Sequence, residues 1–297
     1  MFSWLAYNAL CALPLAALAL IARRWGRARP GIEHALWTLV LVRLVLPPLA
    51  FWAAAPGSSP ASRIIPSGEP ELLNELMAEV TRAFGSNWST WALRGLVTGF
   101  LMLLAWVVAR ELLRARRVEH LVAGAAPAEP ALERHVRVVA QNLGLAAPRV
   151  LVSPEVASPF LWSLRRPVLV LPAADELPPA TVLAHELAHL ARRDHWTAWL
   201  ELIVQGFHFW NPLFWLARRG LHRAAELDCD RFAVARFPSE RRLFATALVD
   251  TAERASRGVF VPRAVQAIGT DARDFEERLR EILRGPAAAP RLPAAQD

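Results

Sequence analysis

Three long apolar runs constrain the fold of this chain more than any other feature of its sequence. They cover about residues 2–22, 35–54 and 88–110. Each has roughly the 20 residues that a helix needs to cross ~30 Å of hydrocarbon. Since 54% of the residues are hydrophobic and only 21% are charged, a disordered chain is excluded. We therefore predict three N-terminal transmembrane helices within a membrane region at 1–117.

The arginines that flank these runs predict the orientation of the helices. The loop at 23–29 carries four arginines, and four more lie at 110–117, after the third run. The loop 55–87 carries two arginines against four glutamates. Because positively charged loops stay in the cytoplasm, we predict that the N-terminus and loop 55–87 are external and that the rest of the chain is cytoplasmic. The membrane is then the cytoplasmic (inner) membrane, and direct nucleic-acid binding is not expected, since no basic-aromatic motif is present.

Two features of the membrane region leave alternatives open. Arg43 lies inside the second run, where a charge is costly. It is either functional or paired within the helix bundle, and we favour pairing. Pro47-Pro48 is expected to end or kink that helix. In the external loop, residues 69–84 are predicted to form an amphipathic helix that lies on the membrane or on the bundle.

The second half of the chain has the pattern of a globular α+β domain, which we place at 118–284 and follow with a flexible tail at 285–297. A helix is predicted over 131–143. Short apolar runs at 149–152 and 168–171 predict buried strands.

The next predicted helix carries the sequence His185-Glu186-Leu187-Ala188-His189. The two histidines are four residues apart, so both imidazoles project from one face and can bind one metal ion. Glu186 lies beside them, where it can take a proton from an attacking water. From these residues alone, an ordinary helix with two histidines is the alternative.

A catalytic zinc ion usually has three protein ligands, so a third is expected from a later element. The predicted helix at 212–236 offers Glu226, which would complete a His-His-Glu set. Asp230 lies one turn further on the same face and is expected to accept a hydrogen bond from a ligand imidazole. Asp228 and the soft ligand Cys229 are weaker alternatives.

Several segments occur together in an order that points to a known family. They are SPFLWSLRRPVLVLP at 158–172, HELAHLARRDHW from residue 185, FHFWNPLFW at 207–215, ELDCD at 226–230 and FEERLREIL at 275–283. With them, the chain resembles the BlaR/MecR-type membrane metallopeptidases over about residues 1–284. The resemblance implies a cytoplasmic zincin-like (gluzincin) domain after three transmembrane helices. It also implies one Zn²⁺ per chain, held by His185, His189 and Glu226, with Glu186 as the base.

The resemblance also implies a function, because these β-lactam sensor/signal transducers act by a cleavage that relieves a winged-helix transcriptional repressor. We therefore predict a zinc endopeptidase with a protein substrate such as that repressor. The family's sensors continue into an extracellular penicillin-binding domain, which this sequence lacks, so direct β-lactam sensing is not expected and a separate sensor protein is an open alternative. A quality-control protease, a non-catalytic zinc-containing scaffold and a homodimer stay open as well.

A fourth apolar segment, 196–216, is long enough to cross the membrane. A single crossing would place Glu226 and His185 on opposite sides of the membrane, and the ligands could not meet. We therefore predict a membrane-apposed helical hairpin that covers the active site, since the tryptophans of this segment suit an interface.

Four further residues are predicted to bind substrate. Val168 and Val170 belong to a strand that either pairs, as an edge strand, with an extended substrate or is a core strand. His208 or Asn211 is expected to stabilise the tetrahedral oxyanion. Asp194, just after the histidine helix, is expected to cap the helix or to support a ligand.

Overall fold

The computed structural model describes residues 2–25, 30–46, 78–79, 82, 88–162, 167–174, 176–257 and 272–285. The α-helices of these residues are α1 (Phe2–Trp25), α2 (Pro30–Val45), α3 (Trp88–Gly124), α4 (Pro130–Asn142), α5 (Ala180–Ala191), α6 (Asp194–His208), α7 (Pro212–Arg236), α8 (Arg241–Ser256) and α9 (Ala272–Arg284). The strands are β1 (Ala126–Pro127), β2 (Arg149–Ser153), β3 (Phe160–Trp162) and β4 (Val168–Pro172).

The strands form one four-stranded sheet in the order β1-β2-β4-β3. β2 and β4 run parallel, with Arg149 opposite Val168 and Ser153 opposite Pro172. β3 pairs antiparallel with β4, and β1 pairs antiparallel with β2. Both parallel strands are nearly continuous apolar runs, as is usual for strands covered on both faces. β4 is therefore an interior strand, and β3 lies at the edge of the described sheet.

Each face of the sheet has its own apolar core. On one face, Leu169 and Leu171 of β4 belong to a core that α4, α5, α8 and α9 complete. On the other face, Val170 packs with Val118 and Val122 from the last turns of α3. The 37 residues of α3 correspond to a length of ~55 Å, so one helix runs from the apolar segment to the sheet.

A separate core joins the first two helices to α6 and α7. Trp37, Leu41 and Leu44 of α2 are buried there with Phe214 of α7. The two helices approach closely at Gly220, because a Cβ atom at this position would collide with the Trp37 indole ring. This bundle fixes the direction of α7, which carries the predicted third ligand.

Arg43 is paired within this bundle, as favoured from the sequence. Its Nη1 donates to Oδ1 of Asn8 at 2.7 Å and to the Leu46 carbonyl at 3.2 Å. The completely buried Asn8 in turn donates to the carbonyls of Leu44 and Leu46. These contacts satisfy carbonyl groups at the end of α2 that have no partner within the helix.

The predicted α+β class is confirmed, but three membrane spans are not. Among the described residues, the stretch Thr90–Gly124 is the one that has the length and hydropathy to cross a membrane. The third helix was predicted to end at residue 110. It continues to Gly124, because the charged residues after 110 do not break a helix and its last turns pack on the sheet. α2 begins at Pro30, before its predicted start.

Several sequence predictions fall on residues that the structure does not describe. They are the end of the second run with Pro47-Pro48, most of loop 55–87 with its helix at 69–84, and the tail after Gly285.

Residues 196–216 form a helical hairpin. α6 ends at His208, and α7 begins at Pro212, where the Asn211 side chain caps the helix. His222 of α7 donates through Nε2 to Oε1 of Glu201 in α6 at 2.7 Å. α7 therefore runs back along α6 and returns to α5.

Candidate metal centre

Helices α5 and α7 bring the three predicted metal ligands together. Nε2 of His185 lies 3.6 Å from Oε2 of Glu226, and Nε2 of His189 lies 3.5 Å from Oε1 of the same carboxylate. One ligand atom from each residue lies within 4.8 Å of the other two. Two atoms bound at ~2.1 Å to a tetrahedral zinc ion are about 3.4 Å apart, so this donor set fits zinc with little movement.

The local sequence explains how α5 presents its histidines. Ala184 and Leu187 are completely buried, so one face of the helix packs into the core while the histidines face α7. At the N-terminus, the Thr181 N–H donates to Oε2 of Glu240 at 3.2 Å, and a carboxylate stabilises this end of a helix. After the helix, Arg193 has a left-handed backbone (φ 58°) that turns the chain into α6.

A carboxylate faces the second ring nitrogen of each histidine. Nδ1 of His189 donates to Oδ2 of Asp194 at 2.7 Å. Nδ1 of His185 lies 2.9 Å from Oδ1 of Asp230, although its N–H is not aligned with that oxygen. Such contacts orient an imidazole and leave Nε2 available to a metal ion.

A second group of donor atoms among the described residues consists of His189, Asp194 and Cys229. In this group the histidine would have to bind through Nδ1, which is already hydrogen-bonded to Asp194. The Cys229 sulfur lies 3.6 Å from that nitrogen, and burial raises the pKa of its thiol to about 11. A protonated thiol is a poor metal ligand, so the set with Glu226 is the stronger candidate.

The charges of the site favour a bound cation. Burial alone would lower the pKa of His185, but Asp230 and Glu226 outweigh it and raise this pKa to about 9. Burial would raise the pKa of Glu226, but Arg278 and the two histidines hold it well below its usual range. An ionised carboxylate thus faces two imidazoles that bind protons tightly, and a metal ion competes with those protons.

Glu186 lies on α5 between the two histidines in sequence, at the wall of a cavity. Burial raises the pKa of its carboxyl group, and the charges of His185 and His189 partly offset this effect. A carboxylate whose pKa moves towards neutrality is better suited to accept and return a proton.

The cavity beside these residues has a volume of about 1290 Å³. The edge strand β3 and helix α8 contribute to its walls, together with His185, Glu186 and Glu226. Pockets for small molecules usually measure about 300–1,000 Å³. The volume of this cavity exceeds that range.

The structure corrects the prediction for Val168 and Val170. Both residues belong to β4, which pairs with β2 on one side and with β3 on the other. Its backbone groups are already used within the sheet, so of the two alternatives left open by the sequence the edge strand is wrong and the core strand is confirmed. The edge position belongs to β3 (Phe160–Trp162), which also lines the cavity.

The prediction that His208 or Asn211 stabilises an oxyanion is also wrong, since neither residue lines the cavity. His208 is buried in the helix bundle, where its Nε2 donates to the Leu44 carbonyl at 3.1 Å. Oδ1 of Asn211 accepts the Leu213 N–H at 2.9 Å and caps α7. Both side chains therefore have structural partners away from the site.

Arg278 of α9 is part of the site but was missed from the sequence. Its Nε and Nη2 donate to the two carboxylate oxygens of Asp230 at 2.7 and 2.9 Å. Its Nη1 lies 2.8 Å from Oε2 of Glu226. The available signal was its position between Phe275 and Ile282 on the apolar stripe of α9, where a charged residue needs a buried partner.

Two helices thus bring two histidines and a glutamate together as a candidate metal centre, and comparisons with known proteins give the family of the chain. The chain belongs to the BlaR1 peptidase M56 family, whose sequence model matches residues 6–282. The regulatory protein BlaR1 of Bacillus licheniformis is 33% identical over 88 residues, which are 28% of this chain and 14% of that relative. Membership of the family identifies the chain as a membrane-associated metallopeptidase.

Proposed function

We propose that this chain is a zinc-dependent endopeptidase of a bacterial inner membrane, with its active site on the cytoplasmic side. Its substrate would be a regulatory protein such as a winged-helix transcriptional repressor. The observation that carries the proposal is the meeting of His185, His189 and Glu226 beside Glu186 on the wall of a large cavity.

The surroundings of the helical hairpin support the proposal that residues 196–216 lie against the membrane. The rings of Phe100 in α3 and Phe209 at the hairpin tip are 5.4 Å apart, so the hairpin lies beside the apolar half of α3. The outer face of the hairpin exposes a band of large apolar side chains: Trp196, Trp199, Ile203, Phe207, Trp210 and Trp215. Aromatic side chains of this kind are typical of a membrane interface.

The residues of the site divide the hydrolysis of a peptide bond between them. A zinc ion held by the three ligands would polarise the scissile carbonyl and lower the pKa of a bound water towards ~7. Glu186 takes the proton of the attacking water and passes it to the leaving amine. β3 is the edge strand of the described sheet, and an extended substrate segment would pair with its outer side.

The relative with 33% identity is named a regulatory protein, and this name favours a regulatory substrate over general protein degradation. The aligned part covers a small share of that relative, so its partners do not transfer with the alignment. The winged-helix repressor is therefore the first substrate to test, and unfolded casein is the comparison that would reveal a quality-control protease.

The test compares the purified wild type with Glu186→Gln and with a control, Glu155→Gln. Glu155 is exposed and is not among the residues that line the cavity. We expect about one zinc ion per chain in all three proteins. Repressor cleavage should occur in the wild type and the control and be lost in Glu186→Gln. Cleavage that persists in Glu186→Gln would refute the role of the base, and a wild type without zinc would refute the proposed function.

A further inference from the structure

We propose that Arg278 is a positioning residue, which holds the Glu226 carboxylate in the orientation needed to bind the metal ion. The metal centre then depends on three helices, α5, α7 and α9, and not only on the two that carry the ligands. This inference rests on the zinc site of the proposed function.

Arg278 is only 5% exposed. Each of the three nitrogens of its guanidinium group lies close to a carboxylate oxygen. Nε and Nη2 form a fork with the two oxygens of Asp230, and a fork of this type fixes the plane of the guanidinium. Nη1 lies 2.8 Å from Oε2 of Glu226, an ion-pair contact in which no N–H is aligned with that oxygen. Arg278 thus lies against Oε2 of Glu226, and the other oxygen of this carboxylate, Oε1, faces His189.

The same guanidinium is linked to the other side of the site. Oδ1 of Asp230, which accepts from Arg278, is also the atom that lies 2.9 Å from Nδ1 of His185. One arginine therefore constrains a ligand carboxylate directly and a ligand imidazole through Asp230.

Ion pairs on both sides of Arg278 hold α9 in register with α7. Arg223 contacts Glu277 at 2.6 Å, and Arg231 contacts Glu281 at 2.9 Å. On α9, these pairs involve the residue directly before Arg278 and the residue three positions after it. They place α9 where Arg278 reaches the site. A shift of this helix would therefore change the contact between Arg278 and Glu226.

A simpler role for Arg278 would be charge balance alone, and the two roles predict opposite effects on zinc. A guanidinium beside a ligand repels an incoming cation. If only its charge mattered, removal of Arg278 would strengthen zinc binding. If the arginine positions Glu226, its removal weakens zinc binding, because residues that orient metal ligands typically contribute 10–100-fold to metal affinity.

The experiment measures the zinc dissociation constant of the full chain in detergent by competition with a chromophoric chelator. The variants are Arg278→Gln, Arg278→Lys and the control Arg280→Gln. Arg280 lies on the same helix but is exposed, with its side chain 64% accessible, and pairs with Glu276. The absorption spectrum of the cobalt-loaded proteins reports the coordination of the ion independently of activity.

We expect Arg278→Gln to weaken zinc binding by about 10–100-fold. Arg278→Lys keeps the charge but cannot form the fork, so it should also weaken binding and alter the cobalt spectrum. Arg280→Gln should match the wild type.

Equal or tighter zinc binding by Arg278→Gln would overturn the inference. If this variant does not fold, Arg278→Lys decides, and binding as tight as in the wild type overturns the inference in the same way. A wild type that binds zinc and cleaves its substrate, together with unchanged variants, would refute the positioning role alone. A wild type that binds no zinc would refute the proposed function and this inference with it.

Discussion

The close packing of α2 on α7 predicts that a single methyl group at Gly220 destabilises the protein. A Cβ atom there would collide with the body of the Trp37 ring, which is 1% exposed and completely enclosed in the helix bundle. Extra atoms in a packed core cost about 1–3 kcal/mol. A glycine in the middle of a helix destabilises it by about 0.5–1 kcal/mol relative to alanine. The substitution therefore recovers part of the free energy of unfolding that the collision costs.

Gly206 of α6 provides the matched control, because no neighbouring atom lies within 4 Å of a Cβ added there. Gly206→Ala should gain the helix-forming benefit and meet no clash. The two variants should therefore differ by about 1–3 kcal/mol in the free energy of unfolding. For proteins of 150–250 residues, 1 kcal/mol corresponds to roughly 2–4 °C in Tm. A difference of 2 kcal/mol would thus place Gly220→Ala about 4–8 °C below Gly206→Ala.

The assay is thermal unfolding of the two purified variants in the same detergent, followed by tryptophan fluorescence. Zinc is removed from both samples, so that a change in metal affinity does not contribute to the difference. Equal Tm values for the two variants would show that α2 and α7 do not meet at Gly220, and the reasoning on the bundle would be refuted.

The other predictions concern the metal centre. Glu226→Ala should reduce the zinc content to well below one per chain, because two imidazoles alone hold zinc weakly; full occupancy by metal analysis would exclude Glu226 as a ligand. Asp194→Asn should weaken zinc binding about 10–100-fold, since the Nδ1 of His189 loses a carboxylate acceptor, and an unchanged dissociation constant would argue against this role. The pKa of His185 is raised to about 9 and that of His189 well above its usual value, so protons compete with zinc for both rings. Zinc binding should therefore release protons and weaken as the pH falls, which calorimetry in buffers of different ionisation enthalpy measures; release of no proton would contradict these pKa directions.

Local features of the fold could be predicted from the sequence. The helix at 212–236 begins and ends as expected, because Pro212 is a start signal that acts within the first turn of a helix. The strands at 149–152 and 168–171 were also recognisable, since each is a short apolar run. The histidine spacing of α5 depends on helix geometry alone, which explains why the two imidazoles share a face.

Features that depend on distant partners could not be predicted. When helices cover both faces of a sheet, interior strands and edge strands have similar apolar sequences. The sequence therefore does not give the position of the strand with Val168 and Val170 in the sheet. His208 has a polar side chain in an apolar segment, and its acceptor, the Leu44 carbonyl, is 164 residues away. The position of Arg278 on the apolar stripe of α9 indicates a buried partner, but the local sequence does not show that its carboxylate partners lie on α7.

The path of the chain between His189 and Glu226 has a consequence for biosynthesis. The first two ligands are synthesised before the hairpin, and the third arrives only after α6 and α7 have folded back against α2. A nascent chain whose hairpin has not yet docked therefore holds two histidines and no complete donor set. If the chain is the protease proposed above, its active site is inactive until the hairpin has packed against α2. Newly synthesised chains would then not cleave cytoplasmic proteins before they have folded.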